Sequence, residues 1–160
     1  IFSRIQTFID PKTGDNFQSQ KALDAINQGG LTGQGMGEGI LKDKVPEAHT
    51  DYIIAVISEE FGAIFVLFIV TIFLFIGYRV LNKVLIEQEE FIKLALMGLI
   101  SLLIIQMFIH VGVNIRLIPT TGMTLPFLSY GGSSLIGSAI SAGIILNFTR
   151  KDTGRYYKNE

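Results

Sequence analysis

Between Val45 and Gly62 the chain reads VPEAHTDYIIAVISEEFG, setting Glu47, His49, Asp51, Glu59 and Glu60 against the start of a long apolar run. An Asp at the centre of a membrane helix costs about 2.5–3.5 kcal/mol, so a cluster of acids at the mouth of one needs a reason. Carboxylates placed there can cap a helix or pair with a cation. They can also accept a proton as general bases or ligate a hard divalent cation. A helix starting at Pro46 would put Glu47 and Asp51 one turn apart on one face. With Thr50 as the cap, the helix would start at Asp51 instead. Either start leaves Asp51 at the water–membrane boundary near a helix N-terminus, where the dipole favours the ionised form and partial burial opposes it. The structural use of Asp51 would be a cap or an ion pair with Lys44 or Arg116. Glu59 and Glu60 fit acids that pair with a basic residue on another helix.

Two further patterns carry polar groups. The run GGLTGQGMGEG puts six glycines into eleven residues. Its spacing matches neither dinucleotide nor phosphate-binding loops, and no Lys-Ser or Lys-Thr follows. It reads as a loop permitting positive φ, with a phosphate or sugar facing its N–H groups as the weaker alternative. Gln106, His110 and Asn114 form one stripe at helical spacing, which suits interhelical hydrogen bonding. A proton relay or a metal site has less support, since neither His110 nor His49 has a spaced partner.

The elements that must hold these residues are membrane helices. Hydrophobic residues make up 49% of the chain and net charge is −1, which favours a membrane class and gives no basic excess for nucleic acid. The absence of cysteine excludes disulfides and thiol chemistry. Residue 1 is Ile and no charged-then-apolar leader follows, so the chain is expected to begin within a longer protein. Three stretches reach the roughly 20 residues a bilayer requires. The expected organisation is a loop over 1–52, spans over 53–78 and 94–115, a loop over 79–93 and a re-entrant loop over 116–127. A third span over 128–149 and a tail over 150–160 complete it. The serine and glycine of GGSSLIGSAISAG suit close helix contact. SQKALDAINQ predicts a short amphipathic helix on the membrane face, closing at Gly29-Gly30. The fold class is therefore all-α, a polytopic helical membrane protein. Arg79, Lys83 and Lys93 in the first connection, and the basic tail, place those segments in the cytoplasm. Residues 1–52 and 116–127 then face outward with the acids.

PEAHTDYIIAVISEEFG, PTTGMTLPFLSYGGSS and GGLTGQGMGEG together resemble the C-terminal part of the SEDS (shape, elongation, division and sporulation) proteins, polytopic peptidoglycan glycosyltransferases. The likeness runs from RIQTFIDP through the third span and is nearer the cell-division branch than the elongation branch. It implies about ten spans, of which this chain would supply the last three and the large outer loop before them. It further implies that lipid II is polymerised at the outer face of the bacterial cytoplasmic membrane, with release of undecaprenyl pyrophosphate. The Asp of the HTD motif, here Asp51, would be the essential residue. Asp51 would take the proton of the acceptor 4-hydroxyl, or hold a divalent cation (Mg or Mn) against the leaving pyrophosphate, with Glu47 orienting it or sharing the cation. Arg4, Lys42, Lys44 and Arg116 would neutralise the pyrophosphate or contact lipid headgroups, and Ser129 would join them as a substrate-binding residue. A class B penicillin-binding protein and other division-complex membrane proteins are the implied partners. The chain departs from the pattern at Thr121, where division-type members often carry Lys, and at His110, where Asn is common.

Two other classes compete with an enzyme. A lipid carrier or flippase would spread ionisable residues through bilayer depth, whereas here they gather at one edge. A scaffold for the transpeptidase would carry no chemistry of its own.

Overall fold

The structure is a computed structural model, and it describes residues 15–40, 45 and 48–150, with 15–17 as backbone alone. Its regular elements are five helices: α1 (Asp15–Gly29), α2 (Ile53–Phe61), α3 (Ala63–Ile86), α4 (Glu90–Asn114) and α5 (Gly132–Thr149). No strand occurs among the described residues. Helices α3, α4 and α5, of 24, 25 and 18 residues, are long and apolar enough to cross a membrane. The all-α membrane class and the short helix ahead of the spans thus match the expectation from sequence.

The first apolar run does not form one helix. At 1.5 Å per residue a helix over 53–86 would be about 50 Å long, against about 30 Å of hydrocarbon. The run is divided at Gly62, whose φ of 84° and ψ of 171° belong to a region nearly closed to side chains. Such a break exposes carbonyls of the first helix and N–H groups of the second, and both need partners. The glycine loop supplies them. Gln34 and Gly35 donate their N–H groups to the carbonyls of Glu59 and Glu60 (2.9 and 3.1 Å). The Gly30 and Leu31 carbonyls accept from Ala63 and Ile64 (2.9 and 3.4 Å). The two backbones approach so closely that a Cβ on Gly33 would overlap the Glu60 carbonyl, and one on Gly62 the Leu31 carbonyl. The glycines therefore serve close approach as well as positive φ, and α2 engages the N–H groups of Gln34, Gly35 and Ile40.

Packing follows from this division. Helix α1 lies against α2 through Ala22 and Ala25, which join Val45, Ala48, Tyr52, Ala55, Val56 and Val113 in one buried cluster. The helix thus packs against both α2 and α4. Helices α3 and α4 pair as antiparallel neighbours across a three-residue connection, residues 87–89. Val80, Val84, Leu96, Ile100 and Leu103 form their buried seam, which Ile145 of α5 joins. A third cluster of Ile54, Met107 and Leu125 ties α2 to α4 and to the segment before α5. Helix α3 continues past Tyr78 to Ile86, carrying Arg79 and Lys83 in its last turns. Such long stems reach polar surroundings from within a helix, and Lys83 also pairs with Glu87 at 3.3 Å. Helix α5 begins at Gly132, because residues 127–130 make a turn.

Replacing Gly62 by Ala forces a side chain into the left-handed region and onto the Leu31 carbonyl. This should destabilise the membrane protein by about 1–3 kcal/mol, seen as a lower midpoint of thermal denaturation in detergent. Gly98→Ala, with open space around its Cβ position, should leave that midpoint unchanged.

Candidate functional site

Asp51 lies in a turn over 48–52, half-buried, just before α2. Helix α2 starts at Ile53 with Tyr52 at the N-cap position and no side-chain cap there. The expected starts at Pro46 or Asp51, and the cap by Thr50, are therefore replaced. The cap comes from another helix. Asn114, fully buried in the last turn of α4, accepts the N–H of Ala55 through Oδ1 at 3.0 Å. Its Nδ2 donates to the Asp51 carbonyl at 3.1 Å and to the His110 carbonyl at 2.8 Å. One amide thus satisfies an N–H in the first turn of α2 and fixes the backbone of Asp51.

The two preceding carbonyls are held in the same manner. Ser129 Oγ accepts from the Leu125 N–H and donates to the Thr50 carbonyl, both at 2.8 Å. The Tyr130 N–H donates to the His49 carbonyl at 3.0 Å. Ser129 is 7% exposed, and its hydroxyl bonds backbone on both sides, which holds the segment that bears Asp51. The carbonyls of His49, Thr50 and Asp51 are thus gripped from the turn before α5 and from α4.

The loop after α4 forms one wall beside the Asp51 carboxylate. It leaves α4 through Arg116 and reaches the turn before α5 through Phe127, both with left-handed backbone (φ 58° and 65°). Such a conformation costs a side-chain-bearing residue about 1–2 kcal/mol, and here neighbouring bonds hold it in place. Leu117 and Ile118 donate to the Gly112 carbonyl (2.8 and 3.2 Å). The His110 ring meets the Met123 carbonyl through Nδ1 at 2.9 Å, and Thr124 donates to Ser134 at 2.6 Å. Gly122, at φ 70°, lies where a Cβ would be 3.8 Å from Asp51 Oδ2. The loop therefore presents bare backbone to the carboxylate. Gly122 also borders a cavity of about 310 Å³ between α4 and α5, with Gln106, Thr124, Ser134 and Ser138 in its walls.

The remaining acids divide in use. Glu59, 1% exposed, accepts the Ile40 N–H through Oε1 at 2.9 Å and so anchors the end of the glycine loop. Ser58, next to it in sequence, is buried as well. Arg116 is half-buried at the same end of the bundle as Asp51. Arg4, Lys42, Lys44 and Glu47 fall outside the described residues. Among the described residues no three His, Asp or Glu groups gather as a metal site would require. The polar stripe on α4 does make interhelical bonds through Asn114. Its sequence signal gave the face but not the partner, which is the backbone of the Asp51 turn.

Asn114→Leu leaves the Ala55 N–H and the Asp51 carbonyl without their partner, at about 1–3 kcal/mol per buried group. Hydrogen exchange across residues 48–58 should accelerate in that variant. Ser129→Ala should have a smaller effect in the same segment, and Gln106→Leu, which breaks neither bond, should have none.

The sequence profile of the FtsW/RodA/SpoVE family, described as "Cell cycle protein", matches residues 2–154. The chain is 42% identical over 156 residues to a probable peptidoglycan glycosyltransferase FtsW of Caulobacter vibrioides, covering 98% of this chain and 40% of that protein. It is 41% identical over 157 residues to the protein of the same name from Geobacter metallireducens, covering 94% and 41%. Stage V sporulation protein E of Bacillus subtilis is 39% identical over 151 residues, covering 92% and 41%. A solved structure described as "Structural coordination of polymerization and crosslinking by a peptidoglycan synthase complex" superposes with a TM-score of 0.67. Identity to it is 24%, with 94% of this chain and 42% of that one covered, so it speaks for the fold. The chain spans about two fifths of the length of the curated relatives it matches. By profile and by identity, it belongs to the FtsW/RodA/SpoVE family of cell cycle proteins.

Proposed function

We propose that this chain carries the general base of a lipid-linked glycosyltransferase that polymerises lipid II at the outer face of the cytoplasmic membrane during division. The observation that carries the reading is the fixation of Asp51. Its turn is bound at three successive carbonyls, and its carboxylate stands beside a glycine without a side chain to cover it. A positioned carboxylate is what general base catalysis needs, and a fixed backbone reduces the entropy lost in reaching a reactive geometry. Lipid II keeps its prenyl chain in the bilayer and its sugars in water, so the base must stand where the two meet. Relatives described as probable peptidoglycan glycosyltransferases support the same activity.

In this reading the acceptor 4-hydroxyl oxygen attacks the anomeric carbon of the donor sugar. Asp51 takes the hydroxyl proton, the bond from that carbon to the phosphate oxygen breaks, and undecaprenyl pyrophosphate leaves with the electron pair. Arg116, at the same end of the bundle, is the described cation suited to that anion; Arg4, Lys42 and Lys44 are its candidate companions and Glu47 the candidate orienting acid. A divalent cation such as Mg or Mn would take Asp51 as a hard oxygen ligand. Glu47 is the candidate acid to share that cation with it. The carrier reading has less support, because the described ionisable groups of α3, α4 and α5 stand towards helix ends: Arg79, Lys83, Glu90, Lys93 and His110. A class B penicillin-binding protein is the partner this reading calls for.

In the full-length parent with its transpeptidase, Asp51→Asn keeps shape and removes charge. Glycan synthesis from lipid II should fall to background while folding and partner binding persist. Normal polymerisation by that variant would return Asp51 to a structural role. Titration of Mg and Mn against the wild type then separates the base from a metal ligand. Orientation has its own test: in intact cells an impermeant maleimide should label Thr121→Cys and spare Gln88→Cys.

A further inference from the structure

The glycine loop leaves apolar side chains uncovered: Leu31 is 70% exposed, Met36 79% and Ile40 45%. Its height along the bundle is fixed, because the Gly30 and Leu31 carbonyls accept from the first two residues of α3. At 24 residues α3 is about 36 Å long, slightly more than the hydrocarbon layer. Its first turn, and Leu31 beside it, therefore lie at the boundary between acyl chains and headgroups. Along the outer side of α3, Ile64, Leu67, Phe68 and Phe75 are exposed as well, with Phe61 and Phe65 stacked 5.0 Å apart at the top. Leu31 thus extends the apolar surface of a candidate membrane span.

We propose that the tip of the glycine loop inserts Leu31 and Met36 among the acyl chains at the bilayer boundary, as an anchor that sets the depth of α2 and Asp51. The loop binds the last carbonyls of α2 and the first N–H groups of α3 together, so whatever fixes its depth fixes theirs. The occupant is fluid lipid rather than a further helix because of how the side chains are presented. A docking helix needs ridges of residues three and four apart, whereas Met36 projects singly between Gly35 and Gly37. Single apolar groups on a loop held to α2 through the Gln34, Gly35 and Ile40 N–H groups suit insertion into the boundary layer. The depth argument uses the proposed role of Asp51; the insertion itself does not depend on it.

The chain contains no cysteine, so an environment-sensitive fluorophore can be placed at Met36→Cys in the full-length protein once any cysteines outside this region are replaced. In lipid nanodiscs, its emission should be blue-shifted and quenched several-fold more by lipids spin-labelled in the upper acyl chain than by aqueous iodide. Dominant quenching by iodide would overturn the proposal by placing the loop in water. Absence of both kinds of quenching would overturn it by showing the loop covered by protein. Leu31→Asp combined with Met36→Asp should lower polymerisation of membrane-embedded lipid II several-fold, while Met36→Leu retains it. Unchanged activity in the double variant would overturn the depth-setting role. The fluorescence readout requires no activity, so it stands apart from any failure of the glycosyltransferase reading.

Discussion

Three successive backbone carbonyls, those of His49, Thr50 and Asp51, are each bound by a donor from elsewhere in the fold. Each bond alone contributes about 0.5–1.5 kcal/mol, a modest stabilisation. Their combined effect is on geometry, since a turn bound at consecutive positions has little freedom left. The arrangement concentrates side-chain hydrogen bonding on backbone, with Asn114 and Ser129 both spent on main-chain atoms of this turn or of the helix it opens.

The grip on Asp51 depends on α2 lying where it does, and that follows from the break at Gly62. A continuous helix would have carried residues 53–61 out along the axis of α3 and away from Asn114. Dividing the run creates orphan groups at two helix ends, which lipid cannot satisfy, and the glycine loop satisfies both sets. Glu59 secures the far end of that loop through the Ile40 N–H. The acids of SEEFG and the glycines before them thus belong to one device. Its output is the placement of the turn that bears Asp51.

The membrane class, the three long helices and α1 were legible because apolar length and period are properties of the chain itself. Asp51 stood out because acids at a hydrophobic boundary are costly. The division of the first run was hidden: Gly62 inside an apolar stretch is compatible with a continuous helix, and the loop that heals the break lies some thirty residues earlier (Gly29–Gly35). The capping of α2 was misplaced onto Thr50 for a similar reason, since a cap supplied by Asn114 across 59 residues leaves no local signature. The bond of Ser129 to the Thr50 carbonyl was equally hidden, since it joins segments 79 residues apart. The polar face of α4 was readable, while its partners were not, because they are backbone atoms without a sequence identity.

All the donors that fix the Asp51 turn come later in the chain than the residue they fix: Asn114, Ser129 and Tyr130. During synthesis the acid leaves the ribosome before any of them exists. The glycine loop and α1, by contrast, are already present when α2 appears and can receive it at once. The helix break is therefore an early structure and the ordered turn a late one, closed only when the segment entering α5 has been made. A nascent chain halted before that point would carry Asp51 in a turn whose three carbonyls have yet to meet their donors, so the geometry of the acid is set by residues made some sixty to eighty positions after it.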